Sequence, residues 1–379
     1  MIFYCESRIF SGQERMFLTA ACSISKKTKC ILIINELNKD GISFSKDNGA
    51  FVKLKMINNF NPKFSSLFVW FRWGHIYSFT RFLLKNRDKE NAICISQGRI
   101  ESGNVGMLAA KIARFKTISY IPMVHNHEEM GSKGYDAKLK NFLCSVLYRL
   151  PDAFITISDA VASELRKKCS AGVYVVENFV QQKKISGMMP EPPHFNDLEY
   201  YKLILPGRLL DKQKGQIDLI KAIDFVTNKI DKKIVCYIVG DGPDKNNILN
   251  EIKKRKLDEC IYLLGNRSDL LYIMNSCNLV VLPSRFEGVP LVMLEAALLN
   301  KNIVASDIIG FNDYLYKDDL FQAYDPISIA NIILEKIVAE GNVVRYKKRL
   351  TSLLSRSEDS FTKDFYFTLK MIKGNIFHS

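Results

Sequence analysis

The chain has 379 residues, 47% of them hydrophobic, and a formal charge of +14. That length supplies two cores rather than one. No run of about 18 apolar residues occurs, and Glu6 and Arg8 interrupt the start, so neither a transmembrane helix nor a signal peptide is expected and the protein is expected in the cytoplasm. Nine scattered cysteines without a C-x-x-C pair, and a single H-x-H without a nearby ligand pattern, argue against a disulfide framework and a structural metal. Residues 1–185 hold 28 Lys and Arg against 15 Asp and Glu, whereas residues 186–379 hold 26 against 25. So lopsided a charge suits an anionic partner for the first half, whether phospholipid headgroups, a polyanionic acceptor or nucleic acid, or else a solvated basic surface.

Short apolar runs bounded by Gly, Pro and Asn alternate with helical periodicity, the pattern of an α/β protein with parallel sheets covered on both faces. Strands are expected at Ile2–Cys5, Cys30–Asn35, Phe51–Met56, Ala92–Ser96, Thr117–Pro122, Ala153–Ile157 and Val173–Glu177. A proline-rich stretch without apolar period reads as a linker at 186–200. A second set follows at Lys202–Pro206, Ile234–Val239, Cys260–Leu264, Asn278–Leu282 and Asn302–Ala305. The expected organisation is two doubly wound Rossmann-like domains, 1–185 and 201–355, facing across a cleft, with 356–379 as a helix packing back on the first domain. Such folds bind ligands at the carboxyl ends of their strands.

In chain order, the first loop of interest, Ser11-Gly12-Gln13-Glu14, follows the first strand and leads into an amphipathic helix over Met16–Ser23. Residues 64–89 interleave Phe64, Phe68, Trp70, Phe71, Trp73, Tyr77, Phe79 and Phe82 with Arg72, Arg81, Lys85, Arg87 and Lys89. This suits a helix at a membrane interface, aromatics at headgroup depth, and equally a core helix packed on the sheet. The strand Thr117–Pro122 delivers His125, His127, Glu128 and Glu129 to the carboxyl edge of the first sheet, where a histidine can donate or accept a hydrogen bond.

In the second half, the loop after Lys202–Pro206 carries Arg208 and Lys214, cations suited to neutralising a diphosphate, Arg208 as a fork and Lys214 as a point charge. A solvent-exposed basic loop fits the same residues. The turn Gly240-Asp241-Gly242-Pro243 allows close backbone approach. Arg267 sits in the next strand-end loop, which can border a nucleobase. After Asn278–Leu282 comes Glu287-Gly288-Val289-Pro290-Leu291, with Pro290 expected at the first helical position and Glu295 farther along the helix. The amides of that first turn would suit phosphate oxygens, and each carboxylate can accept two hydrogen bonds from a diol.

Taken in order, Gly207-Arg208-Leu209, Lys214-Gly215, Val239-Gly240-Asp241-Gly242-Pro243, Leu264-Gly265, Pro283-Ser284-Arg285-Phe286-Glu287-Gly288 and Glu295-Ala296 resemble the family 4, or group 1, glycosyltransferases of the GT-B fold. The resemblance is close over residues 202–315 and looser over the first half. It implies that Arg208 and Lys214 hold a donor diphosphate, that Glu287 contacts the transferred sugar and that Glu295 binds the nucleotide ribose. It further implies that Gly12 lies in a loop touching sugar or acceptor, where the family usually has two glycines, and that His125 rather than His127 stands beside the sugar. Ile309, before Gly310, is bulkier than is typical there.

The expected activity is a retaining glycosyltransferase moving a sugar from a nucleoside diphosphate sugar, with UDP-sugar as first expectation. The acceptor would be the hydroxyl of a saccharide or lipid-linked acceptor in cell-envelope or exopolysaccharide assembly. His125 and Glu287 are the expected catalytic residues. Gly12, Arg208, Lys214, Gly240, Gly242, Arg267, Gly288, Val289, Pro290, Leu291 and Glu295 are the expected donor-binding ones. No cofactor and no divalent metal are expected, and peripheral contact with an anionic membrane, at its inner face, is. A nucleotide-sugar epimerase or hydrolase also fits two nucleotide-binding domains. A basic nucleic-acid-binding protein fits the charge alone, with no nucleic-acid motif beside it.

Overall fold

The structure is a computed structural model that describes residues 1–49, 52–57, 72–87, 91–181, 189–339 and 344–377. It divides into two units, the first comprising residues 1–128, 132–178 and 357–379, the second 129–131 and 179–356.

In the first unit, β1 (Ile2–Cys5), β2 (Cys30–Asn35), β3 (Val52–Ile57), β4 (Ala92–Ser96), β5 (Lys116–Tyr120), β6 (Ala153–Thr156) and β7 (Gly172–Val175) form a parallel sheet in the order β3-β2-β1-β4-β5-β6-β7. All four residues of β1 are buried, because helices cover both faces of a parallel sheet. Register makes Tyr4, Ile95, Ser119 and Phe154 neighbours on one face. On that face Phe79 of the helix Trp73–Lys85 lies 5.1 Å from the Tyr4 ring, and Cys144 and Leu147 of the helix Gly134–Leu147 cluster with Phe154. On the opposite face Phe3 meets Phe17 at 5.8 Å, and Tyr120 packs against Phe17 and Phe365. Phe365 belongs to the C-terminal helix, Glu358–Phe377, which is therefore part of the first unit's own layers. The other described helices of this unit are, in chain order, α1 (Gly12–Ser25), α2 (Lys39–Asn48), α3 (Trp73–Lys85), α4 (Asn104–Ile112), α5 (Gly134–Leu147) and α6 (Asp159–Lys168).

In the second unit, β8 (Tyr201–Pro206), β9 (Ile234–Val239), β10 (Ile261–Gly265), β11 (Leu279–Leu282), β12 (Asn302–Ser306) and β13 (Leu320–Phe321) run in the order β10-β9-β8-β11-β12-β13, again parallel. Its helices are α7 (Asp211–Lys214), α8 (Gln216–Thr227), α9 (Lys245–Lys254), α10 (Leu270–Ser276), α11 (Leu291–Leu298), α12 (Ile309–Asn312), α13 (Pro326–Val338) and α14 (Lys348–Leu354). Leu203, Leu205, Ile223, Cys236, Ile238, Val281 and Ile333 are among its fully buried core. In each sheet the strand order reverses once, beside β1 and β4 in the first unit and beside β8 and β11 in the second. The loops at those carboxyl ends frame the crevice where doubly wound sheets take ligands.

Every strand read from the sequence occurs, with ends moved by a residue or two, while β13 is too short to show a period. Residues 186–200, expected as a linker, behave otherwise. Residues 186–188 lie outside the described residues, and 189–200 pack onto the second unit. Arg267 donates to the Pro190 carbonyl at 2.9 Å, Tyr237 Oη to the Pro193 carbonyl at 2.6 Å, and Phe195 stacks on Tyr272. Proline lacks an N–H but keeps its carbonyl, so a proline-rich segment can be held entirely as an acceptor. Of the aromatic and basic stretch 64–89, residues 64–71 and 88–89 lie outside the described residues; the rest is α3. No described helix is long and apolar enough to cross a membrane.

Candidate functional site

The reversal point of the second sheet is built from two loops. The first follows β8, runs through Gly207 and Arg208, and closes in α7. The second follows β11 and ends where α11 begins. Gly215 takes φ +65°, and a Cβ there would stand 2.2 Å from the Pro283 carbonyl oxygen, so the two loops touch backbone to backbone.

Across that contact the Lys214 ammonium is ion-paired with the Glu287 carboxylate, both largely buried. Arg285 ties the same loops together. Its backbone N–H donates to the Gln213 carbonyl at 2.7 Å, its guanidinium binds Asp218 at 2.7 Å and approaches Asp211 at 3.7 Å, and it lies 4.5 Å over the Tyr324 ring. Burial raises the proton affinity of Asp211, countered in part by the Ile217 amide and the Arg285 charge. Arg208 is exposed beside this cluster, its carbonyl accepting from Gln216 Nε2 at 2.8 Å.

Pro290 stands as N-cap of α11, with φ −66° and ψ 124°, rather than as its first helical residue. Its extended ψ keeps it outside the helix, and its carbonyl accepts from the Met293 and Leu294 amides. The amides of Leu291 and Val292 precede any intrahelical partner and face the positive end of the helix dipole. Gly288, Val289 and Pro290 are buried, and Gly310 backs directly onto Glu287 and Gly288. Glu295 lies half-buried in the second turn of α11.

Two expected donor residues have a visible structural task. At Gly240, φ is +141° and a Cβ would stand 2.1 Å from the Gly207 carbonyl oxygen; at Gly242 it would stand 2.3 Å from that of Leu209. The glycine turn therefore props the Arg208 loop, with the Leu209 amide donating to the Asp241 carbonyl at 3.0 Å. The Arg267 guanidinium is committed to Asp269 at 2.8 and 2.9 Å and to the Pro190 carbonyl, leaving Asn266 and Ser268 as the exposed side chains of that loop.

In the first unit Gly12 opens α1, behind a capping box formed by Ser11 and Glu14. The carboxyl ends of β1 and β4 bring together groups that spacing does not reveal. Gln13 Nε2 donates to Ser96 Oγ at 3.0 Å, and Tyr4 Oη donates to buried Glu6 at 3.1 Å, whose proton affinity burial raises.

His125 is half-buried, and burial, helped by the charges of Arg99 and Lys168, holds its pKa down to about 3. It is therefore neutral at physiological pH, not poised between two states as its ordinary pKa suggests. His127 is buried, its Nε2 lying 3.6 Å from Glu101 Oε1 and 3.5 Å from Cys144 Sγ. Burial drives the Cys144 thiol up to about 12. These three side chains are of types that a transition metal accepts, gathered within 4.8 Å from three separate segments. Sequence spacing cannot display such a group.

The model of the family described as "Glycosyl transferases group 1" matches residues 192–350. Residues 192–350 are thus similar to the group 1 glycosyl transferases. Every residue of the Lys214, Arg285 and Glu287 cluster falls within that stretch. The O-antigen biosynthesis glycosyltransferase WclY of Escherichia coli is 28% identical over 153 residues, 40% of this chain and 40% of WclY. A Campylobacter jejuni enzyme, the N-acetylgalactosamine-N,N'-diacetylbacillosaminyl-diphospho-undecaprenol 4-alpha-N-acetylgalactosaminyltransferase, is 28% identical over 194 residues, 49% of this chain and 50% of that one. The chain thus spans half or less of the length of these relatives. In fold, the chain resembles Anabaena HepE, solved in complex with UDP, with a TM-score of 0.71, 16% identity and coverage of 98% of this chain and 99% of HepE. The two doubly wound units share the GT-B fold.

Proposed function

We propose that this chain is a glycosyltransferase that moves a sugar from a UDP-sugar to an acceptor hydroxyl, with retention at the anomeric carbon, in the assembly of a cell-surface glycan. The observation that carries the reading is the Lys214–Glu287 pair at the start of α11, within the residues similar to the group 1 glycosyl transferases. It sets a cation for phosphate oxygens beside a carboxylate for sugar hydroxyls, at the crevice of a doubly wound sheet. The UDP choice is supported by HepE, which was solved with UDP and with UDP-glucose. The glycan assignment is supported by the O-antigen and diphospho-undecaprenol relatives.

In the reaction, the bond from the anomeric carbon to the diphosphate breaks and one to the acceptor oxygen forms on the same face. Negative charge grows on the departing diphosphate. Arg208, Lys214 and the Leu291 and Val292 amides are arranged to stabilise it without reorganisation at the moment of transfer. Glu287 accepts hydroxyls of the moving sugar and Glu295 those of the ribose. The acceptor proton leaves toward the departing phosphate, and no divalent metal takes part. His125, neutral, serves as a hydrogen-bonding group beside the sugar rather than as an acid.

The test is thermal stabilisation by a panel of nucleotide sugars, followed by product analysis with the best donor. Transfer to a saccharide or lipid-linked acceptor is expected. Release of free sugar alone, or interconversion of the nucleotide sugar, would replace the reading by a hydrolase or an epimerase.

A further inference from the structure

Glu101, His127 and Cys144 come from three segments of the first unit: the loop between β4 and α4, the loop after β5, and the last turn of α5. They are only 8%, 6% and 8% exposed. Buried polar side chains commonly satisfy one another, and Cys144 Sγ does lie 3.5 Å from His127 Nε2, within reach of a weak thiol hydrogen bond. Glu101 is not accounted for in that way. Among the described residues its charged partners are His127 Nε2 at 3.6 Å from Oε1 and Arg99 Nη1 at 3.9 Å from Oε2, both beyond hydrogen-bonding range. A carboxylate held out of water without close partners is costly. A positive centre between the three side chains would remove that cost.

The spacing is that of metal ligands. Around a tetrahedral zinc ion, with bonds of about 2.0–2.3 Å, the ligand atoms stand about 3.4–3.6 Å apart. His127 Nε2 stands 3.6 Å from Glu101 Oε1 and 3.5 Å from Cys144 Sγ. The third edge, Glu101 to Cys144, is within 4.8 Å, and glutamate, the longest of the three side chains, can shorten it by rotation about its own bonds. The histidine is held from both sides, because its backbone N–H donates to Asn141 Oδ1 at 2.9 Å and its carbonyl accepts from the Ser132 amide at 2.9 Å. Contacts of this kind fix a ligand before the ion arrives. The H-x-H of this loop has no ligand neighbour in sequence; the fold supplies two.

We propose that Glu101, His127 and Cys144 form a zinc site of the first unit, with the fourth position left to water. Calcium and magnesium take oxygen ligands, so a thiol and an imidazole together select an ion of the zinc type. Binding replaces the Cys144 thiol proton, which leaves to solvent, and the thiolate and the carboxylate balance the divalent charge. The ion ties the loop after β5, which carries His125, to α5 and to the loop after β4. It takes no part in sugar transfer, and the site stands whether or not the chain transfers a sugar.

The full chain, purified without a histidine tag and kept reduced, is stripped with a chelator, reloaded with zinc, passed through gel filtration and counted for metal by mass spectrometry. Cobalt(II) serves as the visible probe. One zinc ion per chain is expected, with a thiolate-to-cobalt absorption band that zinc displaces and a thermal midpoint that rises when zinc is added to the stripped chain. Cys144→Ser should abolish the band. Glu101→Gln should weaken cobalt binding by more than the roughly 10- to 100-fold that loss of a group merely supporting a ligand costs. Cys169→Ser, which alters a half-buried thiol of the same unit outside the group, should bind like the parent. A stripped chain that takes up no zinc, a band that persists in Cys144→Ser, or equal loss in Cys169→Ser would each overturn the proposal and leave three side chains that only contact one another. Where Cys144→Ser does not fold, Glu101→Gln carries the test, and the zinc count and cobalt band of the parent need no variant.

Discussion

Lys214 and Glu287, 73 residues apart in the chain, meet as a partly buried ion pair at the point where the second sheet reverses its strand order. The pair gives each member a second task. In the proposed reaction Lys214 exchanges part of this pairing for a phosphate oxygen, and the ammonium orients Glu287 toward the sugar. Removing either partner therefore acts on both.

Lys214→Ala should lower turnover by about 10²- to 10³-fold, the scale of losing one preorganised contact to developing charge, and should weaken UDP-sugar binding as well. Glu287→Gln should lower turnover more than it weakens UDP binding, because the proposed mechanism gives the carboxylate the sugar and not the nucleotide. Calorimetric titration with UDP beside steady-state turnover checks the split. Parent-like turnover in both variants would remove this cluster from the reaction.

Arg285 was not among the residues expected to act, yet it joins the two loops through Asp218, Asp211 and the Gln213 carbonyl. Arg285→Met leaves two largely buried carboxylates without their counter-charge, for a loss of about 3 kcal/mol in urea unfolding. Arg285→Lys keeps the charge without the fork and should recover part of that stability. Equal stability of Arg285→Met and the parent would show the clamp to be dispensable.

Gly240→Ala forces a Cβ against the Gly207 carbonyl at a backbone angle of φ +141°. Strain of this kind costs about 1–3 kcal/mol, and here it falls on the loop that carries Arg208. A lowered thermal midpoint together with weaker UDP binding is the expected result. An unchanged midpoint would mean that the two loops separate without cost.

His125 has its folded pKa depressed to about 3 from an ordinary 6.5. The unfolded chain therefore binds more protons between those two values. The stability this group contributes is complete above about pH 6.5 and is lost as pH falls toward 3, with a slope of up to about 1.4 kcal/mol per pH unit. His125→Gln should flatten urea-unfolding stability across that window. A slope identical to the parent would locate the acid sensitivity elsewhere.

The α/β class and both sets of strands were legible because each depends on local chemistry. Buried parallel strands must be apolar throughout, strand ends must carry their turn residues, and a helix start must have its proline and its donors. The exact place of Pro290 was less legible, since first helical residue and N-cap differ by one ψ angle, and proline fixes only φ.

What only the tertiary structure decided is everything that rests on distance between separate segments. Composition made 189–200 resemble a linker, whereas side chains from β9, the β10 loop and α10 hold it to the second unit. An ordinary histidine pKa left His125 open to either charge, and only its burial beside Arg99 and Lys168 makes it neutral. The grouping of Glu101, His127 and Cys144 and the Arg285 clamp have no signature in sequence. By itself the sequence determined which residues line each strand end, because backbone geometry and burial act on neighbours in the chain. Which of those residues pair, which are neutralised and which stay exposed was decided by packing, because charge and desolvation act through space.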